Sequence, residues 1–308
     1  MIKNLLNPTG VETQKLEQIK KSIVEFLQPL WKGILRRIAV MTLSLFVVLG
    51  VIAPYLPLPN AYETMQRSNG EYVLLEPPSG EFLLGTTEGG YNVFAQTVLA
   101  TRTSLKIGLF SAMVLIVIGL NIGLIAGYYG GWVETILMGI DDLAYGMPFL
   151  PFAIVFVAVI GQSTWVLVAV IGLLLWRGIA RVVRSETLSL REREFVKSAR
   201  ASGSSNIKIM YFHILPNLLP IIIVYFVLGA IYGILIEASL SFVGLGDPTT
   251  ISWGMMLFDA FQSGAFTTAW WWVLPPSFGL WLFVWSLYTV GRALEDNLNE
   301  NQLGGLTE

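Results

Sequence analysis

The chain has 308 residues, of which 54% are apolar and only 13% are charged, and its net charge is −2. Soluble globular domains carry about 25% charged residues, so this composition favours a protein whose main solvent is the lipid bilayer. The lack of cysteine excludes disulfides and thiolate metal sites, and a single histidine excludes a histidine-rich metal cage. The near-zero net charge gives no indication of nucleic-acid binding.

The first 37 residues are predicted to form a cytoplasmic amphipathic segment. Seven Lys and Arg residues precede the first long apolar run, and apolar residues recur at helical spacing between positions 11 and 34. This pattern is typical of a helix on a membrane surface, and a tail without fixed structure is the alternative. The apolar run that follows is about 20 residues long, longer than a signal-peptide core, so we interpret it as a retained anchor.

Six apolar stretches are long enough to span a bilayer, because about 20 residues at about 1.5 Å each cross a hydrocarbon core of about 30 Å. They cover residues 38–56, 105–128, 143–160, 164–180, 214–236 and 273–290. The chain is therefore predicted to be an all-α integral membrane protein with about six transmembrane helices. Its predicted parts are the segment 1–37, the first transmembrane helix 38–57, an extracellular loop 58–96, a five-helix core 97–294 and a cytoplasmic tail 295–308.

The distribution of Lys and Arg predicts the orientation of these helices. Eight basic residues lie from Arg177 to Lys208, whereas the loop 58–96 contains five glutamates and has Arg67 as its only basic residue. Positive residues concentrate in cytoplasmic loops, so both termini are predicted to be cytoplasmic and loop 58–96 extracellular. We expect a multi-pass protein of the cell membrane.

The second predicted span has small residues at positions that suit close helix contacts. They are Gly108, Gly119, Gly123 and Gly127. Glycine lets two helix backbones approach closely in a membrane. We expect this face to pack on a second membrane subunit.

Three carboxylates lie in or near predicted spans. Asp141 and Asp142 are interpreted either as solvated charges at the cytoplasmic interface or as contacts of the loop 186–213, whose arginines are on the same side. Adjacent residues point about 100° apart on a helix, so a catalytic carboxylate pair is not indicated. Glu237 follows the fifth span, and an ionisable residue at membrane depth is a candidate for function. With Ser239 and Ser241 it is a candidate pathway residue, and a pairing or capping role is the alternative.

The stretch 186–220 predicts a helix-turn-helix between the fourth and fifth spans. Gly203 follows a run of small residues and can adopt a positive φ, which allows a sharp turn. Pro216 begins the fifth span. The first helix is predicted to be amphipathic, with a basic face and an apolar face (Arg193, Lys197 and Arg200; Leu188, Phe195 and Ala199).

This stretch resembles the cytoplasmic coupling loop of ABC-importer permeases, and the wider sequence resembles permeases of the dipeptide, oligopeptide and nickel importers. The family's motif reads Glu-Ala-Ala, then Gly, then Ile-x-Leu-Pro. The similar segments keep the family's order and comprise residues 84–86, 126–133, 188–199, Gly203, 213–217, 237–246 and 252–254. Lys197 and Ser198 stand where the motif has Glu and Ala, so a glutamate contact with the ATPase is not expected there. Glu194, one turn earlier, is the candidate for that acid.

The resemblance implies a type I ABC importer permease fold and several partners. We expect a second, homologous permease, two ATPase subunits and an extracellular solute-binding protein, within the lipid bilayer and without nucleic acid. ATP and Mg²⁺ would be held by the ATPases, since this chain has no P-loop motif, and the chain itself would bind no cofactor or metal. The implied ATPase-coupling residues within the loop 186–213 and beside it are Arg193, Glu194, Lys197, Ser198, Ala199, Arg200, Ala201, Gly203, Ser204 and Pro216.

The resemblance therefore predicts a transport subunit for di- or oligopeptides rather than an enzyme. A nickel or oligosaccharide importer of the same family is an open alternative for the substrate. A membrane-embedded enzyme and a passive channel are alternatives of other classes. The enzyme would require converging polar residues inside the spans, where few occur, and the channel would not require the basic coupling loop.

Overall fold

The computed structural model describes residues 28–58, 61–67 and 69–304. The amphipathic helix predicted over 11–34 lies mostly outside the described residues. Regular structure in the described residues is helical, apart from two isolated β-bridges in the loop. The α-helices are α1 (Ile34–Ile52), α2 (Val93–Tyr129), α3 (Gly131–Gly146), α4 (Phe149–Ile160), α5 (Thr164–Arg191), α6 (Glu194–Ala201), α7 (Asn206–Lys208), α8 (Leu215–Leu240), α9 (Trp253–Gln262) and α10 (Trp270–Gly304).

The helices form a membrane-spanning bundle. Five helical segments among the described residues are long and apolar enough to cross a membrane, and the bent pair α3 and α4 makes a sixth if it counts as one crossing. The predicted all-α membrane fold is confirmed. One end of the bundle carries the described residues between α1 and α2 and is called the loop end. The other carries α6 and is called the α6 end.

The third predicted span, 143–160, is not one straight helix. It is divided between α3 and α4, whose axes differ by 90°. Pro148 lacks a backbone N–H and disfavours helical geometry in the residue before it, and Met147 is extended, with φ −84° and ψ 123°. Hydropathy does not detect this break because the residues on both sides are apolar.

Two helices extend well beyond their predicted spans. Helix α2 begins at Val93, inside the segment predicted as loop, where the Asn92 side chain accepts a hydrogen bond from the Ala95 N–H at 3.1 Å. Helix α5 continues to Arg191, past the end of its apolar stretch. Hydropathy indicates where a chain meets lipid, whereas capping and tertiary contacts decide where a helix ends.

Helix α2 is the centre of the bundle, and its small residues pack inside this chain. A Cβ atom at Gly119 would lie 2.5 Å from the Trp176 carbonyl oxygen on α5, and one at Gly123 would lie 2.4 Å from that of Ala180. Gly108 meets α8 in the same way, 3.1 Å from the carbonyl oxygen of Ala230. The expectation that this face packs on a second subunit is therefore wrong.

Ion pairs hold α3 against α5. The Arg181 guanidinium donates hydrogen bonds to both Asp141 and Asp142, and Arg184 pairs with Glu134. Arg181 also lies over the Tyr145 ring, 4.2 Å from its centre. Asp141 is completely buried, so it is not a solvated charge, and its partner Arg181 belongs to α5 rather than to the loop 186–213. Both interpretations offered for Asp141 are therefore wrong. Asp142 also pairs with Arg181, but its side chain is 70% exposed.

A buried carboxylate joins two segments at the loop end. Asp247, after α8, accepts hydrogen bonds from the Thr164 N–H and hydroxyl at 2.8 Å each, and from those of Thr249 at 2.9 and 2.6 Å. Burial alone would raise the pKa of Asp247, but these hydrogen bonds outweigh it and hold the pKa below its usual value. Asp247 thus fastens the start of α5 to the segment between α8 and α9.

We expect Gly123→Ala to destabilise the protein by about 1–3 kcal/mol, the usual cost of overpacking. Its new methyl group would meet the backbone of α5. Gly139→Ala in α3 is the matched control, because nothing lies within 4 Å of its Cβ position. That change should stabilise the helix by about 0.5–1 kcal/mol. Thermal unfolding in detergent measures both, and equal effects of the two substitutions would contradict the close packing of α2 on α5.

We expect Asp247→Asn to destabilise the protein at neutral pH by about 1.5–3 kcal/mol, because hydrogen bonds to a charged acceptor are lost. The folded-state pKa is lowered, so the stabilisation is complete above the ordinary aspartate pKa of about 3.9 and disappears as the pH falls through the lower folded-state value. The difference from wild type should therefore shrink in acid. Glu88→Gln, an exposed carboxylate at the same end, is the control, and a pH-independent difference would refute the assignment.

Candidate coupling site

Helix α6 lies at the end of the bundle and is attached to it by one buried side chain. Arg193 is extended, with φ −75° and ψ 151°, and separates α6 from α5. Val196 is the one buried residue of this helix and belongs to an apolar cluster with Tyr128 of α2 and Ile209. Phe195, which was predicted on the packed face, is 39% exposed, and Leu188 belongs to α5. The packed face is formed by Val196 and the half-buried Ala199, so the prediction is confirmed for Ala199 and wrong for Phe195.

The turn after α6 has the predicted backbone geometry. Gly203 has a φ of 80°, in the region that favours glycine. Nothing lies within 4 Å of its Cβ position, so the chain itself leaves the apex of the turn open. The Ser205 hydroxyl accepts a hydrogen bond from the Lys208 N–H at 3.4 Å and begins the next helix. That helix passes through a π-helical segment, Ile209–Ile214, into α8.

Most of the predicted coupling residues share an exposed surface at this end. Ala199 and Ser204 are half-buried, and Pro216 is exposed at the start of α8. Glu194 and Lys197 form an ion pair at 3.6 Å, with side chains 90% and 52% exposed. Such exposed pairs contribute little stability, so both groups are available to a partner. The other exposed members are Arg193, Ser198, Arg200, Ala201 and Gly203.

Three contacts join this surface to the end of α2. The Arg200 guanidinium lies 5.6 Å from the centre of the Tyr128 ring. The Tyr128 hydroxyl donates a hydrogen bond to Asn206 Oδ1 at 2.9 Å. Arg191 Nη1 donates one to the Gly127 carbonyl at 2.9 Å. Tyr128, Arg191 and Asn206 were not singled out from the sequence as coupling residues, although Gly127 and Tyr128 lie in a segment that resembles the family.

The three candidate pathway residues do not share one environment. Glu237 and Ser241 are buried, and the Ser241 hydroxyl donates to Glu237 Oε1 at 2.7 Å. Oε2 of the same carboxyl is buried without a hydrogen-bond partner in the described structure. Ser239 is exposed and donates to the Leu235 carbonyl of its own helix. The structure therefore brings Glu237 and Ser241 together and places Ser239 on another face.

The start of α9 packs tightly beside Glu237. A Cβ atom at Gly254 would lie 2.7 Å from Ala238 Cα, and one at Gly246 would lie 2.5 Å from Ser241 Oγ. Trp253 is buried, and its indole N–H donates to the Thr97 carbonyl of α2 at 3.1 Å. The segments 237–246 and 252–254, which resemble the family, therefore serve to pack the end of α8 against α9. In the described parts of the chain, no three His, Asp or Glu side chains converge as a metal site.

Comparison with known proteins identifies the family to which this chain belongs. Residues 119–301 match the family of binding-protein-dependent transport system inner membrane components. The dipeptide transport system permease protein DppC of Alkalihalophilus pseudofirmus is 35% identical over 89% of this chain and 88% of its own length. The glutathione transport system permease protein GsiD of Pectobacterium atrosepticum is 33% identical, over 91% of this chain and 92% of its own.

A third relative is the oligopeptide transport system permease protein OppC of Haemophilus influenzae, which is 30% identical over 92% of this chain and 94% of its own length. All three relatives are transport permeases rather than enzymes. Together with the membrane-spanning helices, the family match decides among the classes that the sequence left open. The chain belongs to the binding-protein-dependent transport system inner membrane components and is the permease subunit of an ABC importer.

Proposed function

We propose that this permease carries di- or oligopeptides across the cell membrane. The support comes from the three relatives, whose named substrates are a dipeptide, glutathione and an oligopeptide. Each is a peptide, and each relative aligns over about nine tenths of this chain. In this proposal a second, homologous permease completes the pathway, and an extracellular solute-binding protein delivers the peptide.

The proposed orientation places both termini and α6 in the cytoplasm. Basic residues from Arg177 to Lys208 lie at the α6 end, and the glutamate-rich loop lies at the other. This asymmetry is the one that positive residues show in cytoplasmic loops. Two ATPase subunits, which would hold the ATP and Mg²⁺, would then meet the complex at its α6 end.

The exposed surface of α6 and its turn is the proposed docking site for one ATPase. The observation that carries this proposal is that Val196 is the one buried residue of α6 and that most of the helix is exposed, with open space at Gly203. Its charge is predominantly basic because Arg193, Lys197 and Arg200 outnumber Glu194. We therefore propose that the ATPase surface facing it is acidic or polar, with Glu194 meeting an isolated base.

A movement of α6 would be transmitted to the membrane-spanning bundle through three helices, α5, α8 and α2. The chain connects α6 directly to α5 on one side and, through the π-helical segment, to α8 on the other. Arg200 and Asn206 add the contact with Tyr128 on α2. Pro216 stands where the π-helical segment passes into α8, and its missing N–H removes one backbone hydrogen bond at this junction. ATP-driven approach of the two ATPases would thus move the three helices and alternate the access of the pathway.

The candidate pathway residues take two proposed roles. Ser239 is exposed on the surface of this chain and would contact the peptide. Glu237 and Ser241 are buried and hydrogen-bonded to each other beside the close contact between α8 and the start of α9. They would position the outer part of the pathway rather than touch the substrate.

We expect Gly203→Val to uncouple ATP hydrolysis from transport. Valine strains a φ of 80° and adds bulk at the apex that the ATPase would meet. Peptide uptake per ATP hydrolysed in proteoliposomes should fall about tenfold, which corresponds to about 1.4 kcal/mol of coupling. Gly264→Val is the matched control, because Gly264 has a φ of 70° and equally open surroundings away from α6. The same uptake ratio in both variants would refute docking at the apex.

Isolation of the complex from gently solubilised native membranes tests the assembly and the substrate. We expect a second permease and two ATPase chains, or two copies of one, to accompany this chain. In proteoliposomes with the cognate binding protein, di- and oligopeptides should stimulate ATP hydrolysis and accumulate inside. Stimulation by nickel or an oligosaccharide, without any by peptides, would overturn the peptide assignment. Recovery of this chain alone would count against the assembly.

A further inference from the structure

A polar cavity at the loop end has no part in the coupling or in the pathway described above. Its volume is about 550 Å³, within the range of about 300–1,000 Å³ that is typical of small-molecule sites. It lies between the end of α1, the following loop and the side of α2. Its polar lining includes Tyr62 and Glu63 from the loop and Arg102, Thr103 and Lys106 from α2.

Two unpaired cations dominate this cavity. Arg102 and Lys106 are four residues apart on α2, so their side chains lie on the same face. Both are exposed, and neither has an ion pair or hydrogen-bond partner within the described structure. Like charges at this spacing destabilise a helix, which favours a ligand that separates or neutralises them. Glu63 reduces the charge of the lining to +1, which a single phosphodiester would balance.

The depth of the two cations matches that of lipid headgroups. The run 107–129 directly after Lys106 contains no charged residue and measures about 35 Å at about 1.5 Å per residue. This length covers the hydrocarbon core of about 30 Å. Lys106 and Arg102 therefore lie just beyond the hydrocarbon, at the membrane surface on the loop side.

An exposed apolar surface leads from the cavity towards the centre of the membrane. On α2, Leu109, Met113 and Val117 follow Lys106 at helical spacing on the face that carries Arg102 and Lys106. Their side chains are 39%, 43% and 60% exposed. Acyl chains that leave the cavity would lie on this surface, whereas a soluble anion has no apolar part that would bind to it.

We propose that this cavity holds one phospholipid, with its phosphodiester between Arg102 and Lys106 and its acyl chains along the exposed apolar face of α2 that follows them. The proposal does not depend on the transported substrate or on the docking of the ATPases. The lipid would fill the space between α1, the loop and α2, and would stabilise the contact between the N-terminal helix and the core.

The test is a count of the lipids that stay bound to the intact permease complex. Complexes in mild detergent are titrated with phosphatidylglycerol and analysed by native mass spectrometry. We expect the double variant Arg102→Gln, Lys106→Gln to retain one phospholipid fewer per copy of this chain. Its lipid dissociation constant should rise about tenfold or more, which corresponds to about 1.4 kcal/mol. Arg67→Gln is the matched control, because it removes an exposed cation at the same end, paired with Glu76 and outside the cavity.

Further arms separate a lipid from a soluble anion or a protein partner. Met113→Asn should weaken the binding of the retained lipid, because Met113 belongs to the proposed acyl surface. Displacement of the lipid by glycerophosphoglycerol, which has the headgroup without acyl chains, would overturn the proposal and indicate a soluble phosphate site. Unchanged lipid retention in the double variant would overturn it as well. Loss of the second permease with unchanged lipid would identify the cavity as an assembly contact instead.

Discussion

The close contact between α2 and α5 is the constraint on which the rest of the structure depends. Gly119, Gly123 and Gly127 bring the backbone of α2 against carbonyl groups of α5, and none of the three has room for a side chain. Without a hydrophobic force between helices in lipid, such packing is a main source of association. It also positions Gly127 and Tyr128 where Arg191 and Asn206 reach them. The contacts that attach α6 and its neighbouring residues to the end of α2 therefore depend on glycines in the membrane interior.

Polar side chains complete the fold at both ends of this apolar contact. Near the α6 end, Arg181 pairs with the buried Asp141, and near the loop end Asp247 joins the start of α5 to the segment before α9. Buried charges are costly unless they are paired, so each pair permits only a narrow range of helix positions. The glycines determine how closely the helices approach, and the ion pairs and hydrogen bonds determine where along their length they meet.

The helical class and the approximate number of membrane crossings could be predicted from the sequence, because the length of an apolar stretch follows directly from the thickness of the bilayer. The sequence also predicted the turn at Gly203, since few residues tolerate a positive φ. It did not reveal the break at Pro148, because proline within apolar sequence is compatible with a straight, kinked or divided helix. The partners of Asp141 and Asp247 are distant in the chain, and no local pattern identifies them. Val196 likewise contacts residues that are distant in the chain, so the sequence did not identify it, rather than Phe195, as the residue that anchors α6.

The contacts of α6 restrict which parts can move in the proposed transport cycle. Because Val196, Arg200 and Arg191 attach α6 and the end of α5 to α2, a displacement of α6 carries α2 and α5 with it. The change in geometry must then be absorbed where regular helical bonding is already interrupted. The structure has three such places in its described core: the break at Pro148 and the π-helical segments on either side of α8. Helix α8 also carries Ser239, Glu237 and the contact with α9, so rotation between its two π-helical ends would change the loop end of the pathway while the packed pair α2 and α5 stayed intact.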